Sequence, residues 1–307
     1  MPWRWALAAV CLGGCAPRSG PGRVEDSLTT GRILVVCSRD ARDLIARERE
    51  AFRALYPQAQ IELREGTSRQ AVSTLFAARC DLAVLTRELL PEERAAASRG
   101  GLELEGYPIA RDGVVALVNQ ANPVQNAAMQ TLRGIYRGEI TSWSELGGAS
   151  RTIHVVIQPP ESDITGFFVE AVMGGEPIAA ASIYETADST VASRVRSDPD
   201  AIGYVTLGGI GSGCRALRVA TLAGMRYWTP DLEAVHAGDY PLTRVVYTYV
   251  RAGGPPLANG FITYVTSRDG QWIVHEAGLV PTTVPVRFVR RSPMMSSHRE
   301  EKPSTTP

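Results

Sequence analysis

Residues 31–87 read GRILVVCSRDARDLIAREREAFRALYPQAQIELREGTSRQAVSTLFAARCDLAVLTR, and the alternation of patterns within them decides the fold class. Ile33 to Val36 is a short, continuously apolar run, as a strand buried on both faces requires. Apolar residues then recur at Leu44, Ile45, Phe52 and Leu55, a helical spacing that stops at Tyr56-Pro57. Ile61 to Leu63 predicts the next strand, Val72, Leu75 and Phe76 a second helix, and Leu82 to Leu85 a third strand. This β-α-β-α-β order implies an α/β fold built on mainly parallel sheets.

The alternation continues outward. Val114 to Val118 predicts a strand ahead of Asn122-Pro123, a helix carries Leu132 and Ile135, and Val155 to Ile157 predicts another strand. The turn PPESD and a helix from about Ile164 follow it. The last helices carry Leu257, Phe261, Ile262 and Val265, then Trp272 and Ile273; Trp143 and Trp272 read as core packing. The 307 residues suffice for two domains of ordinary size. With 32 basic against 32 acidic residues there is no positive excess to neutralise phosphates, which argues against a nucleic-acid partner.

The N-terminal line MPWRWALAAVCLGGCAPRSG has a basic Arg4, an apolar stretch from Trp5 to Leu12, and the tetrad Leu12-Gly13-Gly14-Cys15. The apolar stretch is too short to span a bilayer and suits a signal segment. Its closing tetrad resembles the lipobox of bacterial lipoproteins. That resemblance implies a signal peptide over 1–14, lipidation at Cys15, and an exported, membrane-anchored protein on the periplasmic or cell-surface side. Residues 15–30 read as a flexible tether and 291–307 as a disordered tail. Of the remaining thiols, Cys37, Cys80 and Cys214, one disulfide with one thiol left over and three free thiols fit equally.

The histidines at 154, 236, 275 and 298 are scattered, without metal-ligand spacing, so no metal or cofactor is expected. Residues 207–213, LGGIGSG, lack a phosphate-loop lysine and the nucleophile-elbow spacing, and read as a turn. No nucleophile, base and metal set is visible, so the expectation is a binding protein and not an enzyme. Hydroxyl residues instead start three strand-to-helix turns: Ser38, Thr67-Ser68 and Ser162. Helix N-termini carry free N–H groups and a positive dipole end that suit an anion. Each hydroxyl could equally cap its own helix.

Five segments in register resemble the phosphate-binding proteins of bacterial ABC importers: YPIARDGVVALVNQANPV (107–124), TLRGIYRGEITSWSELGG (131–148), DPDAIGYVTLG (198–208), YPLTRVVYTYVRAG (240–253) and FITYVTSRDGQWIVHEAGLVP (261–281). The resemblance implies a two-lobed periplasmic-binding-protein fold of type II, with two crossover hinge strands and the ligand between the lobes. Lobe one would take residues 31–113 and 240–290, lobe two residues 114–239. The implied ligand is phosphate or a related tetrahedral oxyanion, and the implied partner an ABC importer permease. The alternative is a module of the same fold acting as a sensor or envelope component without transport.

Carried over residue by residue, the resemblance makes Ser38, Ser68, Thr86 and Ser162 the hydroxyl ligands, with Arg87 as a supporting charge. Backbone N–H groups from Asp163 to Thr165 would assist, and Thr165 would supply a hydroxyl displaced by one position. The fourth loop departs most: Gln158 stands where the family has an anion-pairing arginine, and Asp163 where it has glycine. Two carboxylates, Asp40 and Asp163, would repel a dianion unless one accepts its proton, while Arg39 and Arg69 add positive charge to the same loops.

Overall fold

The computed structural model describes residues 26–282. The expected signal segment, Cys15, most of the tether, residues 283–290 and the tail lie outside it. The first half alternates as the sequence predicts, through β1 (Gly31–Ser38), α1 (Arg42–Leu55), β2 (Ala59–Gly66), α2 (Ser68–Phe76) and β3 (Leu82–Leu85); a further helix, α3 (Pro91–Arg99), follows. β1 pairs in parallel with β2 and β3, and all four side chains of β3 are buried, as its unbroken apolar run requires.

Next comes β4 (Leu104–Asn119), sixteen residues long and beginning ten residues before the apolar run at Val114. Gly106, Pro108, Arg111 and Asp112 hid its first half from pattern reading. The chain continues through β5 (Asn126–Ala128), α4 (Met129–Tyr136), β6 (His154–Ile157), α5 (Asp163–Phe168), β7 (Ser182–Tyr184), α6 (Asp188–Ser197) and β8 (Ala201–Thr206). Short strands β9 (Cys214–Ala216) and β10 (Arg218–Ala220) and helix α7 (Leu232–Ala237) lead to β11 (Thr243–Arg251). Helices α8 (Pro256–Val265) and α9 (Arg268–Glu276) and strand β12 (Val280–Pro281) follow.

The main sheet runs β2-β1-β3-β11-β4-β8-β6-β7. β11 lies antiparallel between β3 and the first half of β4, while the second half of β4 pairs with β8. The long strand thus crosses from one half of the molecule to the other near Gly113, which sits opposite Thr243. Val114 N–H donates to the Leu242 carbonyl at 2.8 Å, tying the two crossings together. Each half has its own core. One gathers Val35, Phe52, Leu82, Val250, Phe261 and Ile262; the other gathers Val118, Tyr136, Trp143, Phe168, Ile202 and Tyr204. This is the two-lobed, largely parallel α/β architecture that the sequence implied.

Two packing expectations are corrected. Leu55, placed on the apolar stripe of α1, is 57 % exposed, while Glu48 takes the buried position between Ile45 and Phe52. Trp272, read as core, is 63 % exposed on α9 and stacks on His275 at 5.6 Å between ring centroids. The helical period marks a stripe on each helix, but the neighbouring elements decided which face was covered. Trp143 is buried as expected, with its Nε1 donating to the Asp200 carbonyl at 3.0 Å. Residues 26–30 form a turn against lobe one, their Leu28 carbonyl passing so close to Gly260 that a side chain there would meet it.

Candidate functional site

The three hydroxyl turns converge where the lobes face each other, but they do different work. Ser38 ends β1, and its hydroxyl makes no capping bond to the turn that follows. Thr67 caps α2, accepting from the Gln70 N–H while Gln70 reaches back to the Thr67 N–H. That leaves Ser68 as the first residue of α2, its N–H without an acceptor inside the helix and at the helix's positive end. The Ser68 hydroxyl accepts from the Thr86 N–H at 3.3 Å, fixing the end of β3 to the start of α2.

Into this cradle comes a carboxylate from the other lobe. Asp163, the first residue of α5, receives the Ser38 hydroxyl on Oδ2 at 2.5 Å. The Ser68 N–H donates to the same carboxylate, at 2.8 Å to Oδ2 and 3.0 Å to Oδ1. Burial pushes the Asp163 carboxyl above its usual range, and the Asp40 charge pushes the same way; the Ser38 and Ser68 bonds pull it back down. Ser38, Ser68 and Thr86 are buried beneath the contact.

On the lobe-two side, α5 is held rigidly. Phe168 stacks on Tyr204 with centroids 4.4 Å apart and lies against Tyr136 at 4.5 Å. Ser162 caps α5 by accepting from the Thr165 N–H, and donates to the Pro159 carbonyl at 2.8 Å. Thr165 is turned into lobe two, its hydroxyl bonded to Tyr204 at 2.6 Å and to the Gln158 carbonyl at 3.1 Å. Gln158 is buried, and its Nε2 donates to Asp188 at 2.6 Å. Asp188 also accepts from the Thr206 N–H and hydroxyl; burial raises its carboxyl and the Thr206 bonds oppose that.

Of the residues singled out in the sequence, the structure therefore joins Ser38, Ser68, Thr86 and Asp163 in one contact. It assigns Ser162 to its own helix and Thr165 and Gln158 to the inner bonding of lobe two. Arg87 lies nearby, with its guanidinium forked onto Glu93 at 2.7 and 2.8 Å. Arg39 pairs with Glu65 at 2.6 Å, and Arg69 is exposed.

Sequence reading missed the ionic group at the hinge. Arg244, near the start of β11, is 4 % exposed and donates from Nε and Nη2 to Asp112 on β4 at 3.0 and 2.9 Å. Its Nη1 donates to Asp40 at 2.9 Å. Both Arg244 and Asp112 lie inside segments that carried the family resemblance, but nothing in the linear pattern pairs positions 132 residues apart. A cleft of about 870 Å³ opens beside the Asp163 contact, lined by Arg39, Arg42, Asp112, Asp188, Thr206 and Gly209 among others. Among the described residues no cluster of His, Cys, Asp or Glu is arranged to hold a metal ion.

Comparison with known proteins places these features in a family. The phosphate-binding protein PstS of Bacillus subtilis is 27 % identical over 281 residues, covering 90 % of each chain. Its counterpart in Pseudomonas aeruginosa is 22 % identical, covering 85 % of this chain and 86 % of its own. An ABC-type phosphate transport receptor from Vibrio cholerae superposes with a TM-score of 0.71 at 23 % identity, over 82 % of this chain and all of its own. A high-affinity periplasmic phosphate-binding protein bound with phosphate superposes at 0.65 with 14 % identity, over 82 % of this chain and 90 % of its own. The model of the PBP superfamily domain matches residues 25–269, and the chain belongs to that superfamily.

Proposed function

We propose that this protein is an exported solute-binding protein that captures phosphate, or a related tetrahedral oxyanion, between its lobes and presents it to an ABC importer permease. The observation that carries the reading is the cradle at the lobe interface. Ser38 Oγ–H and Ser68 N–H, the latter at the N-terminus of a nine-residue helix, converge on the oxygens of a half-buried carboxylate. Those donors suit any compact oxyanion. The likeness to PstS proteins over nine-tenths of the chain supports phosphate as the anion. Lobe one is taken as residues 31–113 and 240–290 and lobe two as 114–239, moving about the crossings at Gly113 and Thr243. Binding and lobe closure are the whole of the activity; no bond is made or broken. A lipid on Cys15 would hold the protein at the membrane, near its permease.

Isothermal titration of the purified mature chain with phosphate, sulfate and molybdate tests this. Heat and a thermal shift with phosphate support it; neither signal with any oxyanion would sink it. Loss of palmitate labelling in a Cys15→Ala variant checks the anchor. A second reading, a module of this fold that senses or scaffolds without transport, draws on the same cradle, because Asp163 occupies it. Binding of a permease complex only in the presence of phosphate counts against that second reading.

A further inference from the structure

Among the described residues, Asp163 is the acidic side chain that lobe two extends into the donors of lobe one. Its bonds cross the interface, linking α5 to both β1 and α2 across 125 and 95 residues of sequence. It satisfies the Ser38 hydroxyl and the first N–H of α2 together, which is what a bound oxyanion's oxygens would do. An external anion and the Asp163 carboxylate cannot use those donors at the same time.

We propose that Asp163 is an internal anion: a tethered carboxylate that latches the lobes together on its own and that an arriving oxyanion must displace. The proposal rests on the reading of this cleft as an oxyanion site and assigns what limits its affinity. α5 cannot yield by local drift, because Phe168 is wedged against Tyr136 and Tyr204 and Thr165 is bonded to Tyr204. Withdrawal of the carboxylate therefore requires movement of lobe two as a body or rotation of the side chain away from Ser38.

The size of the effect follows from competition. Apparent affinity is reduced by the fraction of molecules whose site is open, so a latch closed about 90 % of the time costs about tenfold and one closed about 99 % about a hundredfold. Tethering makes high occupancy reasonable, since a linked group acts at an effective concentration in the millimolar range, about that of a competing solute or above it. The negative charge matters as much as the volume, because α2 offers its positive end to the occupant.

The test uses the mature chain with Asp163→Gly, Asp163→Asn and wild type. Inorganic phosphate and sulfate are titrated calorimetrically, and small-angle scattering is recorded with and without phosphate. Circular dichroism melts confirm that each variant folds. The expected result is at least tenfold tighter phosphate binding in Asp163→Gly, a smaller gain in Asp163→Asn, and a variant whose radius of gyration exceeds that of wild type until phosphate is added. Equal or weaker phosphate binding in folded Asp163→Gly, with no change in its size, overturns the latch; weaker binding would make Asp163 a direct acceptor of the solute's proton. Expansion of the variant without binding of any oxyanion by either protein upholds the latch and instead defeats the phosphate reading.

Discussion

Replacing Glu48 with glutamine will remove a pH dependence of stability that the native fold imposes on one carboxyl group. Glu48 lies on the face of α1 that packs against α8 and α9, is fully buried, and has no hydrogen-bond partner for either oxygen among the described residues. Burial pushes it from an ordinary 4.5 up to about 9. The native protein thus keeps this proton through the range in which the unfolded chain has lost it. With more protons bound in the native state, stability falls as pH rises, by about 1.4 kcal/mol per unit. Between pH 5 and pH 8 the wild type should lose about 4 kcal/mol relative to Glu48→Gln. Urea unfolding of both proteins at pH 5, 6.5 and 8 reads this directly, since other titrating groups cancel in the difference. A Glu48→Met variant should be more stable than wild type at pH 8, because it removes buried oxygens that nothing satisfies. A wild-type minus Glu48→Gln difference that stays within about 0.5 kcal/mol across the three pH values would refute the reasoning, by showing that water or a proton acceptor reaches the carboxyl.

Other outcomes follow from the same geometry. Arg244→Met strips the guanidinium from Asp40 and Asp112 and should cost about 3–5 kcal/mol at pH 7 by urea unfolding. The loss should shrink at low pH, where Asp112, already raised by burial, takes up a proton; a cost under about 1 kcal/mol would show that water solvates the two carboxylates. Gly260→Ala should displace residues 26–30 from lobe one, costing about 1–3 kcal/mol and opening that segment to protease. Unchanged melting and cleavage would mean the turn at Leu28 is not seated there. Cys37 and Cys80 are free and buried, each pushed up to about 12 by burial, so in the native protein they should resist Ellman's reagent. Cys214, only partly buried, should react first, and Cys214→Ser should abolish that phase of the reaction.

Much of the architecture was legible in the linear pattern because local spacing reports local burial. The unbroken run at Leu82–Leu85 marks a strand buried on both faces, and the stripe at Leu44, Ile45 and Phe52 a helix whose buried face follows the 3.6 period. The first half of β4 was not legible, since its glycine, proline and charges only make sense once β11 lies beside it. Glu48 and Trp272 went the other way: each sits at a position whose period is plain, yet which side is covered depends on neighbours from distant sequence.

For the site, residue types identified the hydroxyl turns, and the family resemblance singled out the aspartate at 163. The order of patterns determined an α/β chain whose strand-to-helix turns begin with hydroxyl residues, because capping and dipole chemistry belong to the few residues around each turn. Only the tertiary structure separated Ser162, which caps its own helix, from Ser38, which does not. It alone brought Asp163 onto Ser38 and Ser68, and Arg244 between Asp40 and Asp112. Those contacts join residues some 95 to 204 positions apart, and no local propensity encodes which distant group will meet a given donor. Asp163 meets its donors where the two lobes face each other, and Arg244 meets Asp112 where β11 lies against β4, so tertiary packing decides both pairings.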